Sequence, residues 1–143
     1  MPFVKVLIHA VWGTKNRHPF LVDGLRYKVI DHIKTNARAK SIYIDSLNGY
    51  FDHLHCLFRL NADMNLSKAI NLIKGESSFW INKNNLTKSK FEWADEYYGV
   101  SVSESAIPRV RAYIQNQEEH HRKVTFEEEY VELMRRYNLE GHG

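Results

Sequence analysis

The chain has 143 residues, of which 43% are apolar and 13% aromatic, with one cysteine and a formal net charge of +3. That length fits one domain, and the apolar content offsets enough chain entropy to exclude disorder over the whole chain. No apolar run is long enough to cross a bilayer, the N-terminus has no signal-peptide pattern, and the lone Cys56 cannot form an internal disulfide, so a reducing cytoplasm is expected.

Phe3 to Trp12 is rich in β-branched and aromatic residues and predicts a strand. Lys15-Asn16-Arg17-His18-Pro19 follows as a basic loop. Between Val22 and about Lys40, the residues Leu25, Val29, Ile33 and Ala37 recur every four positions and make one face of a helix. Ser41 to Leu47 predicts a second strand. Asn48-Gly49 predicts a reversal, because both residues tolerate positive φ, and Asp52 to Leu60 is the third strand. Asn65 suits the N-cap of a helix from Leu66 to about Asn82, with Ile70, Ile73 and Trp80 among its apolar positions. A polar, basic loop spans Asn82 to Ser89, and Tyr97 to Ser103 alternates as a fourth strand.

Ser105 to about Lys123 predicts a helix that tolerates Pro108 only near its first turn. Thr125 and Glu128 form a capping box for a last helix. That helix carries Phe126, Tyr130, Leu133 and Tyr137 on one side and ends at Gly141. The order is βαββαβ followed by two helices. It suits an α+β, ferredoxin-like domain: an antiparallel sheet with helices on one face. One domain over residues 1–143 is expected, with a core of about 1–104, a helix of about 105–123 and a C-terminal helix of about 125–140.

Four groups of residues could carry chemistry. His53 and His55 alternate with Leu54 in the third strand, so both imidazoles leave the same face while Leu54 and Cys56 enter the helix-covered layer. Two adjacent imidazoles make half a divalent-metal site; the competing view is a pair of solvated strand histidines. Tyr113 and Gln117 are four apart and share a helix face. A phenol is a poor nucleophile unless a metal or base assists it, and Gln117 could add a neutral oxygen ligand. The competing view makes Tyr113 a core aromatic. In His120-His121-Arg122-Lys123 the two histidines diverge around a helix, cannot easily share one metal, and suit a polar helix end; the competing view is a phosphate contact. Ser67-Lys68 and Lys74-Gly75-Glu76-Ser77-Ser78 would let a backbone approach closely, either a packed element or a nucleic acid. No phosphate-loop motif is present, so ATP-driven chemistry is not indicated; paired cysteines for structural zinc and a nucleophile elbow are missing too.

Charge is uneven along the chain. Residues 1–90 hold fourteen Lys/Arg against six Asp/Glu, and residues 91–143 hold six against eleven. A basic first part can attract a polyanion, although a mixed, solvated surface explains it as well.

Several segments occur together in one known family, in this order. They are Lys15-Asn16-Arg17; Asn48-Gly49 with Asp52-His53-Leu54-His55; Leu66-Ser67-Lys68 leading to Lys74-Gly75-Glu76-Ser77-Ser78; and Ser101-Val102-Ser103-Glu104-Ser105. Tyr113-Ile114-Gln115-Asn116-Gln117-Glu118-Glu119-His120-His121-Arg122-Lys123 and Phe126-Glu127-Glu128-Glu129-Tyr130 complete the set. The chain thereby resembles, over nearly its whole length, the single-tyrosine HUH transposases of small bacterial insertion sequences and their relatives associated with extragenic palindromic repeats. Cys56 and Phe58 stand where aliphatics are common, and Pro108 sits early in the tyrosine helix; no catalytic position is disturbed.

The resemblance implies a ferredoxin-like core, a homodimer, and active sites that can be shared between subunits. His53 and His55 would be metal ligands, Gln117 the third ligand and Tyr113 the nucleophile. The substrate would be single-stranded DNA recognised through hairpins at element ends, cut through a 5′-phosphotyrosine with Mg²⁺ or Mn²⁺ and no nucleotide cofactor. Lys15, Arg17 and Lys74 are candidate phosphate contacts, which salt should weaken. The rivals are a domesticated module that grips hairpin DNA without cutting it, and a hydrolytic metal-dependent phosphoesterase on the same fold.

Overall fold

The computed structural model describes residues 3–136. Four strands, β1 (Val6–Gly13), β2 (Tyr43–Tyr50), β3 (His53–Leu60) and β4 (Tyr98–Val102), form one antiparallel sheet in the order β2-β3-β1-β4. Helix α1 (Asp23–Ala39) carries the chain from β1 to β2, and α2 (Leu66–Lys83) carries it from β3 to β4. This is the ferredoxin-like βαββαβ path. Three shorter helices follow: α3 (Ile107–Gln115), α4 (Gln117–His121) and α5 (Phe126–Arg136).

Strand alternation divides the core into two layers. Ile8, Ala10 and Trp12 of β1, with Leu54, Cys56 and Phe58 of β3, pack against Val29 and Ile33 of α1 and Ile70 and Ile73 of α2. The other face is not open to water. Leu7 and Leu57 are covered by Ile107 and Ile114 of α3, while Val11 and Tyr98 are covered by Phe126 and Leu133 of α5. Helices on one face therefore describes the two crossover helices only; α3 to α5 close the second face.

Local signals hold where their chemistry is local. The Asn65 side chain accepts a hydrogen bond from the Lys68 amide at 2.7 Å and caps α2. The Thr125 and Glu128 capping box forms reciprocally, at 3.0 and 3.1 Å, and starts α5. Tyr137 and the stop expected at Gly141 lie outside the described residues.

Two expectations are corrected. The reversal does not fall at Asn48-Gly49, which lie inside β2 opposite His55 and Leu54; the turn is Phe51-Asp52. A Cβ on Gly49 would sit 2.0 Å from the His53 carbonyl oxygen, so this glycine serves a close backbone approach rather than a positive φ. The helix expected from Ser105 to Lys123 is broken at Asn116 (φ −96°, ψ 18°), where α3 ends and α4 begins. There the chain turns so that α4 lies against β2. A bulge in β2 between Ile44 and Ser46 accompanies a bidentate pair from Arg111 of α3 to Asp45, at 2.9 and 2.7 Å.

Candidate metal and tyrosine site

β3 delivers His53 and His55 into the layer beneath α3, α4 and α5, where both are fully buried. They are not solvated strand histidines. Each ring is held by its outer nitrogen. His53 Nδ1 lies 2.9 Å from Asp52 Oδ1, and His55 Nδ1 lies 2.9 Å from Nε2 of His9 on β1. Phe126 stacks flat on the His53 ring, with centroids 4.1 Å apart. Gly13 makes room for it, since a Cβ there would meet the Phe126 ring at 2.7 Å.

The inner nitrogens converge on α4 and α5. His53 Nε2 is 3.1 Å from Gln117 Oε1 and 3.2 Å from Glu129 Oε1, and His55 Nε2 is 3.1 Å from the same Glu129 oxygen. His121 Nε2 lies 3.0 Å from it too. The other Glu129 oxygen accepts a hydrogen bond from the Tyr113 hydroxyl and another from Gln117 Nε2 at 3.3 Å. Tyr113 sets its ring edge-on to His55, with centroids 5.5 Å apart. The tyrosine thus meets the histidine pair of its own chain.

Charge shapes this centre. Burial alone would raise the Glu129 carboxyl, but hydrogen bonds from His121, His53 and His55 outweigh it and hold the group well below the usual carboxylate range. Burial lowers His55 to about 4 and His9 to about 3. Burial would lower His53 as well, yet Asp52 and Glu129 carry it above its ordinary value. Burial, and then the carboxylate of Glu129, raise the Tyr113 phenol. A phenol in that position needs a nearby cation before it can act as a nucleophile.

His53, His55, His121 and Glu129 each offer one ligand atom, and these atoms all lie within 4.8 Å of one another. Hydrogen-bond counting also fits a cation. Asp52, if ionised, only accepts, so the single proton of a neutral His53 goes to Nδ1. Its Nε2 lone pair then faces two oxygen acceptors, an arrangement that a shared proton or a metal ion satisfies. An outer carboxylate that orients a histidine is also the usual second layer of a metal site.

The expected site residues fall into two groups. His53, His55, Tyr113 and Gln117 come together. The candidate phosphate contacts do not join them. Lys15 is exposed and paired with Glu92 at 2.8 Å. Arg17 is exposed, 3.8 Å from Glu127 and over the Phe126 ring. Both line a cleft of about 560 Å³ next to the site, bounded by Trp93, Tyr97, Phe126 and Tyr130. Lys74 is corrected: it is buried, and its ammonium donates to the carbonyls of Ala94 at 2.6 Å and Asp95 at 3.2 Å. It ties a loop to α2.

His9, His121 and Glu129 were missed. A signal for Glu129 existed: it sits in the apolar stripe of α5, three residues after Phe126 and four before Leu133, where a carboxylate needs a reason. His121 was set aside with His120 because neighbouring helical residues diverge. They do diverge, yet both reach Glu129: His121 Nε2 lies 3.0 Å from Oε1 and His120 Nε2 3.4 Å from Oε2.

A family model described as IS200-like transposase matches residues 3–117. A transposase candidate from Deinococcus radiodurans R1 has a similar structure, with a TM-score of 0.66 at 24% identity, over 81% of this chain and 93% of that one. A REP-associated tyrosine transposase solved with a REP hairpin gives a TM-score of 0.64 at 17% identity, over 87% of this chain and 73% of that one. At these identities the likeness concerns the fold. No curated protein sequence matches the chain.

Proposed function

This chain belongs to the IS200-like transposase family, and from that premise we propose that it cuts and rejoins single-stranded DNA by transesterification through Tyr113. One observation carries this reading. The Tyr113 hydroxyl is hydrogen-bonded to the carboxylate on which three buried imidazoles converge. Any part-buried phenol seeks a hydrogen-bond partner, but here the partner is the carboxylate of the histidine cluster.

Tyr113 Oη attacks the scissile phosphorus, a phosphorus–oxygen bond forms, and the bond to the 3′ oxygen breaks. The phenol proton is lost and the leaving oxygen ends as a 3′-hydroxyl. The product is a 5′-phosphotyrosine. One phosphodiester is exchanged for another, so the step is reversible and needs no nucleotide cofactor. Attack by a 3′-hydroxyl on the phosphotyrosine rejoins DNA.

His53, His55 and Gln117 are the proposed ligands for a divalent cation. When bound, the ion would supply a Lewis acid for the phosphate and stabilise the charge that develops there. A nitrogen-rich donor set favours Mn²⁺ over Mg²⁺. Asp52 and His9 fix the two rings so that their Nε2 atoms face inward. Phe126 shields His53 from water.

The proposed substrate is a hairpin-bearing single strand, a class supported by the hairpin in the REP-associated neighbour. Lys15 and Arg17, on the rim of the adjoining cleft, are the proposed phosphate contacts. We place the protein in the cytoplasm as a homodimer, with residues 1–143 of each subunit forming one domain. Tyr113 acting within its own subunit fits the geometry above. Among the described residues no helix is long and apolar enough to cross a membrane.

The test is incubation with labelled single-stranded DNA from the ends of the chain's own locus, with Mn²⁺, Mg²⁺ or chelator, on a denaturing gel. A metal-dependent covalent adduct is expected. Hairpin binding without an adduct would replace the transposase by a binding module, and cleavage without an adduct would indicate a hydrolase.

A further inference from the structure

Two side chains outside the ligand set proposed above reach the same centre. His121 comes from α4 and Glu129 from α5, beyond Gln117, where the match to the family model ends. Glu129 Oε1 lies 3.2, 3.1 and 3.0 Å from Nε2 of His53, His55 and His121. Ligand atoms bound about 2.1 Å from one ion sit roughly 3.0–3.4 Å from their nearest neighbours in octahedral or tetrahedral geometry. The three separations fall inside that interval, which the hydrogen bonds these pairs make without an ion share.

His121 repeats the pattern of His53. Its Nδ1 is 2.5 Å from the Val124 carbonyl oxygen, which can only accept, so the proton of a neutral ring is committed there. The Nε2 lone pair is left facing a carboxylate oxygen. Tyr50 lies against the ring, with centroids 5.5 Å apart, and fixes its plane. Both His121 and Glu129 are buried. A carboxylate surrounded by three imidazole nitrogens, each ring with its other nitrogen already engaged, is arranged as a ligand set rather than as a packing contact.

We infer that His121 and Glu129 complete the divalent-cation site of His53, His55 and Gln117, for a first-row divalent ion such as Mn²⁺. This rests on the proposed function above. It makes α5 part of the active centre. Because the second Glu129 oxygen holds Tyr113, the cation and the nucleophile share one carboxylate.

The test titrates the full chain with MnCl₂ and counts free Mn²⁺ by electron paramagnetic resonance. His121→Gln and Glu129→Gln are each expected to weaken Mn²⁺ binding at least ~10-fold, as even the outer partners of metal ligands are worth that much. His53→Gln is the reference for loss of a ligand of the site as proposed above. If both new variants bind as tightly as wild type while His53→Gln does not, the inference is overturned and the transposase reading stands. If wild type binds no Mn²⁺, the metal-assisted reading falls with it. Should either variant fail to fold, electron spin-echo modulation on the wild-type Mn²⁺ complex decides the matter. Three coordinated imidazoles support the inference, and two overturn it.

Discussion

Replacing Lys74 by Met removes an ammonium and keeps most of the stem. The loop after Phe91 then loses the donor that holds the carbonyls of Ala94 and Asp95. Hydrogen bonds from a charged group contribute about 1.5–3 kcal/mol each. Burial already disfavours this ammonium, lowering its pKa, so part of that gain is offset in the native protein. The net loss should be about 2 kcal/mol, a drop of roughly 4–10 °C in Tm for a domain of this size. Hairpin affinity should keep its salt dependence. A phosphate contact would behave differently: losing one lowers the slope of log K against log salt by roughly 0.7–0.9. Thermal unfolding by circular dichroism and hairpin binding at several salt concentrations give both numbers. An unchanged Tm with a shallower salt slope would refute the assignment of Lys74 to the scaffold.

Gly49→Ala should be severe, costing about 3 kcal/mol or preventing folding, because the new Cβ meets the backbone of His53 and Leu54, which has no side-chain slack to give. Denaturant unfolding measures it, and a loss below about 1 kcal/mol would mean that the β2–β3 approach relaxes freely. Stability should also fall in acid. His9 is held at about 3 and His55 at about 4, against an unfolded value of about 6.5, so the unfolded chain takes up protons first as pH drops. The stabilisation is complete above about pH 6.5 and is lost progressively toward the folded values. A metal-free Tm that stays flat between pH 7 and 4 would contradict the burial of these two rings as neutral groups.

The legible parts of this fold were those whose signals are local or strictly periodic. β3 and α2 follow from alternation and from apolar spacing. The cap at Asn65 and the box at Thr125 and Glu128 follow from side chains that satisfy nearby amides. Asn48-Gly49 misled because one glycine signal has two physical causes, a positive φ and a missing Cβ. Only the three-dimensional approach of His53 tells them apart. The break at Asn116 was hidden in a run of good helix formers. It matters for the site because α4 then presents Gln117 and His121 inward together. The histidine pair of β3 and the tyrosine were legible from spacing and resemblance. Glu129 carried a signal in its place on the apolar stripe of α5, but three successive glutamates mask it by reading as one solvated helix start.

The most direct test of the central claim is mass spectrometry of the covalent product. The protein is incubated with Mn²⁺ and single-stranded DNA from its own locus, digested with nuclease and protease, and its peptides are mapped. A 5′-phosphonucleotide on the peptide containing Tyr113, absent in Tyr113→Phe while that variant still binds the hairpin, is the predicted result. A nucleotide linked to any other residue, or an adduct that survives in Tyr113→Phe, would contradict it.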